Sequence, residues 1–141
     1  MAHEGPRAHV AVRSSTLELL ASRADVWSFL AEPYHLADWW PGITGVEPDR
    51  RGFAPGARWK VLATKRNVLV GPRPVETMLV VREIDEYERW TWHLLQPPTE
   101  VEIRLRSVAG ERTSVTVSTS RGSARAAVRR LYDLVQTAAT F

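Results

Sequence analysis

A chain of 141 residues, 44% hydrophobic and 25% charged, has the length and balance of one globular domain with a sizeable core. It contains no cysteine, which excludes disulfides and thiolate metal sites. The net charge of +3 arises from basic residues spread along the whole chain, so a solvated surface is expected and nucleic acid is not an expected partner.

Residues 1–8 include Gly5 and Pro6 and read as a loose start. The opening MAHEGPRAH has no apolar segment of the signal-peptide kind. Runs such as Met78 to Val81 are too short to span a bilayer. A cytoplasmic protein without stable membrane insertion is the expectation. A first strand is expected from about His9 to Leu19, ending on Leu17 and Leu19 around Glu18. Arg13, Ser14 and Ser15 make the middle of that strand unusually polar.

Ser22 then fits a helix N-cap, and Asp25 suits the positive end of the helix dipole. The pair outlines a capping box. Val26, Phe29 and Leu30 share one face of this helix, with Trp27 expected on its surface. Pro33 cannot sit inside the helix, so the helix breaks near Glu32. A second short helix begins at Pro33 and is stopped by Pro41 and Gly42, behind Trp39 and Trp40.

Ile43 to Val46 predicts a short strand, and the Pro-, Gly- and Arg-rich residues 47–58 predict a loop. Trp59, Val61 and Ala63 alternate with Lys60 and Leu62. Asn67 to Pro74 carries Gly71-Pro72 and Pro74 and reads as a hairpin connection. Val75, Thr77, Leu79 and Val81 follow at period two, and Asp85 to Glu88 is a turn. Trp90, Trp92 and Leu94 alternate with Thr91 and His93 until Pro97-Pro98 ends the ladder. Val101, Ile103 and Leu105 alternate with Glu102, Arg104 and Arg106; after the turn at Ala109 to Glu111, Val115, Val117 and Thr119 continue the pattern. Strands joined by short turns predict an antiparallel meander. From Ser123 the period changes to that of a helix. Ala124, Ala127, Val128, Leu131, Leu134, Val135 and Ala138 form one stripe that suits the concave face of the sheet.

The order of strand, capped Val-Trp-x-x-Leu helix and short helix closing on Trp39-Trp40-Pro41-Gly42 resembles the SRPBCC superfamily. This is the START-like or birch-pollen-allergen-like group, and the likeness is closest to its polyketide cyclase/dehydrase and lipid-transport members. Gly52 and Gly56 before Ala57-Arg58-Trp59 resemble the group's turn ahead of its third strand. The resemblance implies an α+β helix-grip fold over residues 1–141. In it a curved antiparallel sheet of about seven strands wraps a long C-terminal helix, with an apolar cavity between them. It implies function only as a class, because the group contains carriers, cyclases and regulators.

Taken alone, the apolar inward positions describe an ordinary packed core. Ala124, Ala127 and Ala138 on the helix stripe are small enough to leave the space under it partly unfilled. The relatives keep a cavity at this place, which makes Trp59, Val61, Leu79, Val81, Trp92, Leu94, Ile103, Leu105, Val117, Leu131 and Val135 the candidate ligand-binding residues. Trp40 joins them at the cavity mouth, although Trp39 would serve equally on sequence grounds. The indole groups add single polar N–H donors to an apolar wall. A small hydrophobic ligand is therefore the expected partner: a lipid, an isoprenoid or an aromatic polyketide. His3, His9, His35 and His93 have no metal-ligand spacing, and neither metal nor cofactor is expected. Glu76 and Glu83 could act as acids or bases only if a bulge turned one inward. Two other readings stand beside the carrier. One is a cyclase/dehydratase with a titratable group in the cavity. The other is a protein-interaction module with a filled core, like the group's chaperone-ATPase activators. The chain is expected to be a monomer or homodimer.

Overall fold

The computed structural model describes residues 12–67, 69 and 71–140. Strand β1 (Arg13–Leu19) is followed by helix α1 (Arg23–Leu30), a 3-10 turn (Pro33–His35) and helix α2 (Leu36–Trp39). Six strands come next: β2 (Ile43–Glu47), β3 (Arg58–Asn67), β4 (Gly71–Asp85), β5 (Arg89–Leu94), β6 (Thr99–Val108) and β7 (Arg112–Thr119). Helix α3 (Ala124–Thr140) closes the chain. The strands form one antiparallel sheet in the order β1-β7-β6-β5-β4-β3-β2. This is the α+β helix-grip arrangement, with α3 packed on the sheet. No helix among the described residues is long and apolar enough to cross a membrane.

The local signals explain most element ends. Ser22 Oγ accepts from the Asp25 N–H at 3.2 Å and starts α1. Ser123 Oγ accepts from the Ala126 N–H at 3.0 Å and starts α3. Gly42, at φ 88°, takes the left-handed turn that leads from α2 into β2. His35 adds a tie that periodicity does not show: its Nδ1–H donates to the Phe29 carbonyl at 2.8 Å, folding the 3-10 turn back on α1.

One boundary differs from the sequence reading, and one polar stretch is explained. The polar residues Arg13, Ser14 and Ser15 belong fully to β1, while His9 lies outside the described residues. The Ser14 and Thr16 hydroxyls bond those of Ser118 and Thr116 at 2.8 and 2.7 Å, so Ser14 serves the outer face, while Ser15 stands opposite Val117 on the other. Gly71, Pro72 and Pro74 are part of β4 and not of the hairpin loop, opposite Asn67, Arg66 and Thr64 of β3. Proline is tolerated there because β5 reaches only to Leu79, so the first residues of β4 have a strand partner on one side only.

Candidate functional site

The inner face of the sheet follows from strand alternation. Across it, Trp59 pairs with Leu79, Leu79 with Leu94, Val81 with Trp92, Trp90 with Ile103, and Ile103 with Val117. Every side chain on this list points to the same side, because register partners share a face. Helix α3 approaches β1, β7 and α2 most closely. The small residues Ala124 and Ala127 are buried at that approach. Elsewhere α1 packs on β6 and β7, α2 packs on β2, and the loop between β2 and β3 sets Phe53 against Trp90 of β5.

That cover is aromatic. The Trp40 ring stands edge-on to Trp92 at 5.0 Å, and to Trp39 at 5.5 Å. Trp92 neighbours Trp90 at 6.0 Å, and Trp90 neighbours Trp59 at 5.8 Å. Phe53, from the loop, meets Trp90 at 4.9 Å and Trp27 at 5.6 Å. All six tryptophans thus join one chain of rings at the distances aromatic pairs prefer. Trp27 is therefore not a surface residue of α1: it is 5% exposed, sealed by Phe53 and Tyr87. Trp39 and Trp40 are both buried, and Trp40 is the one whose ring rests on Trp92.

Asp49 holds the loop in place. Its carboxylate accepts from the N–H of Arg51 at 3.0 Å, Gly52 at 3.3 Å and Arg58 at 2.9 Å. The Arg58 N–H above all keeps its carboxyl below the usual range. The loop is stitched to the sheet by Gly56 N–H to the Val81 carbonyl at 2.8 Å and Val81 N–H to the Ala57 carbonyl at 2.9 Å. Trp59 Nε1–H donates to the Gly52 carbonyl at 2.7 Å. Asp49→Ala should free these donors, so exchange of the Arg51, Gly52 and Arg58 amides is expected to quicken, measured by NMR. Unchanged exchange would mean that the carboxylate does not hold the loop.

The twelve candidate ligand-binding residues lie in one buried cluster. The side chains of Trp59, Val61, Leu79, Ile103, Val117 and Leu131 are fully buried. On the β3 and β5 part of the inner face, tryptophan rings and Phe53 pack against one another. Trp90, Phe53 and Trp27 belong with the twelve by contact. Trp90 was legible from its period with Trp92, whereas Phe53 lies in a loop without periodicity and gave no signal.

Within this apolar interior two polar atoms stand out. Trp90 Nε1 and Trp92 Nε1 are buried and have no hydrogen-bond partner. Both lie on β5, two residues apart, where the ring chain crosses the middle of the sheet. A buried donor without an acceptor costs about 1–3 kcal/mol. The other buried polar side chains among the described residues are Thr77, Thr99, Thr113, Ser114 and Thr119, none of which titrates near neutral pH. Thr113 Oγ1 donates to the Ala21 carbonyl at 2.8 Å and Thr119 Oγ1 to the Arg121 carbonyl at 2.7 Å.

The titratable groups of β4, β5 and β6 described next lie on the outer face. A bulge does occur between Val81 and Glu83, but it leaves Glu83 outside, in an ion pair with Arg89. Arg89 also binds Asp85 at 3.0 Å and Glu102 at 2.9 Å, which raises its pKa still further above the usual arginine value. Burial pushes the Glu102 carboxyl up, but bonds from Arg89 and Arg104 outweigh it and hold the group low. Arg104 meets Glu102 at 3.1 Å and is mostly exposed. Arg82 Nη1–H donates to His93 Nδ1 at 3.2 Å; burial, then this cation, depresses the His93 pKa. Glu76 is exposed. No group of three or more metal-binding side chains occurs among the described residues.

A family model described as activator of Hsp90 ATPase homolog 1-like protein matches residues 20–137. No curated protein matches the chain. Among solved structures it is similar to a protein from Nitrosomonas europaea, at 16% identity and TM-score 0.70, over 94% of this chain and 99% of that one. It is also similar to norcoclaurine synthase from Thalictrum, a point mutant with a transition-state analogue, at 17% identity and TM-score 0.67, over 92% and 96%. A START superfamily protein from Mycobacterium smegmatis aligns at 14% identity and TM-score 0.64, over 90% and 95%. At these identities the likenesses concern the fold.

Proposed function

The chain belongs to the activator of Hsp90 ATPase homolog 1-like family, within the SRPBCC/START-like superfamily, and from that premise we propose that it binds a small, largely apolar molecule carrying a hydrogen-bond acceptor. The ligand lies between the sheet and α3, against the β5 tryptophans. The carrying observation is the pair of buried indole donors, Trp90 Nε1 and Trp92 Nε1, with no acceptor of their own. An oxygen of the ligand would satisfy one or both, while the surrounding rings supply apolar contact. Because the interior is closed, the rings that cover it, Trp40 and Phe53, must move aside for entry. The protein is proposed to act in the cytoplasm, as a monomer or homodimer. Binding is preferred to turnover because the interior offers no titratable side chain among the described residues.

The filled core favours a second reading, that of a protein-interaction module. Titration with 2-acetylnaphthalene and 2-ethylnaphthalene separates the two. These probes have similar shape, and only the ketone has an acceptor. The ketone is expected to bind about 5- to 30-fold more tightly, equivalent to about 1–2 kcal/mol for one hydrogen bond gained by an orphan donor. The indole N–H resonances of Trp90 and Trp92 should shift with it. Trp92→Phe should weaken ketone binding and Arg104→Ala should leave it unchanged. Equal affinity for the two probes, or no binding of either, would overturn the ligand reading and leave the interaction module.

A further inference from the structure

The sheet has two edge strands, and they are not alike. β2 is five residues long, carries an irregularity between Ile43 and Gly45, and is packed by α2 and the 3-10 turn. β1 is seven residues long and pairs regularly with β7 from Arg13 to Leu19. Beyond that ladder, none of the described backbone hydrogen bonds involves a β1 residue. In an antiparallel pair every second residue turns its N–H and C=O away from the partner. Among the described residues, the outer side of β1 therefore has no backbone partner, and α3 packs beside it; a strand edge of this kind accepts an added strand.

Beside this edge runs a groove of about 690 Å³. Ser15, Thr16 and Leu17 form one wall, and Ser123, Arg125 and Arg129 of α3 form the other. Its lining contains no acidic residue. Arg125 and Arg129 are exposed, and neither forms a salt bridge among the described residues. Arg129 lies over the Tyr132 ring at 5.6 Å, which leaves its charge uncompensated. The contrast with the outer face is clear, since Arg89 there is surrounded by carboxylates. Arg125 and Arg129 are one helical turn apart, about 6 Å along the axis. Side chains two residues apart on a strand are spaced by a similar distance, about 6.6 Å.

We propose that this groove docks an acidic, extended segment of a partner protein. The segment adds to β1 as a further antiparallel or parallel strand and sets alternate carboxylates against Arg125 and Arg129. Main-chain bonds to β1 provide the register, and the arginines select the charge. The site is separate from the tryptophan interior, so its fate does not depend on the ligand reading.

The test uses the full chain and an eight-residue, end-blocked peptide alternating glutamate and threonine. A matched peptide carries N-methyl groups on alternate residues, on the edge that would face β1. Binding followed by NMR is expected to shift the amides of residues 13–19 and 123–129. The double variant Arg125→Glu, Arg129→Glu should weaken it at least about tenfold, that is about 1.4 kcal/mol. The N-methylated peptide should lose about as much, a comparison that needs no variant to fold. No binding up to about 1 mM peptide, the weak end of measurable affinity, would overturn the proposal. So would shifts confined to another surface, or equal binding of the N-methylated peptide, which would reduce the effect to charge attraction. Phosphatidylserine vesicles or single-stranded DNA binding through the same arginines, with the peptide silent, would replace the strand-docking site by a simple anionic-surface contact.

Discussion

Replacing Trp90 with alanine should cost about 3–5 kcal/mol of stability, measured by urea titration. Trp90 is fully buried on β5, the fourth of seven strands in the sheet. Its ring is met by Phe53, Trp59 and Trp92 from three separate stretches of chain. No small shift of one neighbour can fill the space that the indole leaves, and cost rises with the cavity that remains. One effect runs the other way. The substitution also removes a buried N–H without a partner, which recovers part of the about 1–3 kcal/mol that such a donor costs. Trp90→Phe separates the two effects, because it deletes the donor while keeping most of the ring volume. It should cost less than about half as much as the alanine change. A loss below about 1 kcal/mol for Trp90→Ala would mean that the ring chain is not a packed unit. The closed interior would then not exist as described.

The second large effect is expected in α3. Leu131→Ala should cost about 2–5 kcal/mol. Leu131 has no exposure and sits midway along the buried stripe of Ala124, Ala127, Val128 and Val135. Leu134 falls on the same stripe in the sequence but is only half-buried. Leu134→Ala should therefore cost distinctly less than Leu131→Ala. Equal losses at the two positions would show that α3 is rotated relative to the face described. A negligible loss at Leu131 would show that the helix does not close the core. Denaturant titration of both variants under the same conditions reads the difference directly.

The comparison between Leu131 and Leu134 shows where a sequence pattern stops being informative. Periodicity assigns a residue to a face of its own helix, but the depth of burial depends on what lies opposite. The same limit applies to Trp27. Its position beside Val26 places it off the apolar stripe of α1, yet Phe53 and Tyr87 cover it. Neither of these is near it in sequence. Strand positions were more legible, because a half-buried sheet leaves only two choices of face. All nine candidate positions on strands from Trp59 to Val117 are buried as the alternation required. His93, Glu102 and Arg104 lie on the opposite side, where Glu102 and Arg104 pair with each other.

The burial of the candidate residues was legible in the sequence, and the space among them was not. Alanines on α3 suggested room under the helix, but the amount of room depends on long-range neighbours. The loop of residues 48–57 carries no periodicity, and its fold depends on the Asp49 carboxylate gathering the N–H groups of Arg51, Gly52 and Arg58. That loop brings Phe53 onto Trp90 and so helps to close the interior. The protein-interaction alternative gained its support from this closure, which no local pattern could have revealed.

By itself the sequence determined the order of elements, the antiparallel meander and the inner face of the strands from Trp59 onward. These depend on short-range physics: period two against period 3.6, a hydroxyl at a helix start, and proline or glycine at an end. Tertiary structure alone decided how the tryptophans meet and that Trp90 and Trp92 lack acceptors while Trp59 finds the Gly52 carbonyl. It also decided that Ser15, Thr16 and Leu17 of β1 share a groove with Arg125 and Arg129. Partners of this kind come from residues far apart in the chain, and no spacing along the sequence encodes their distance in space.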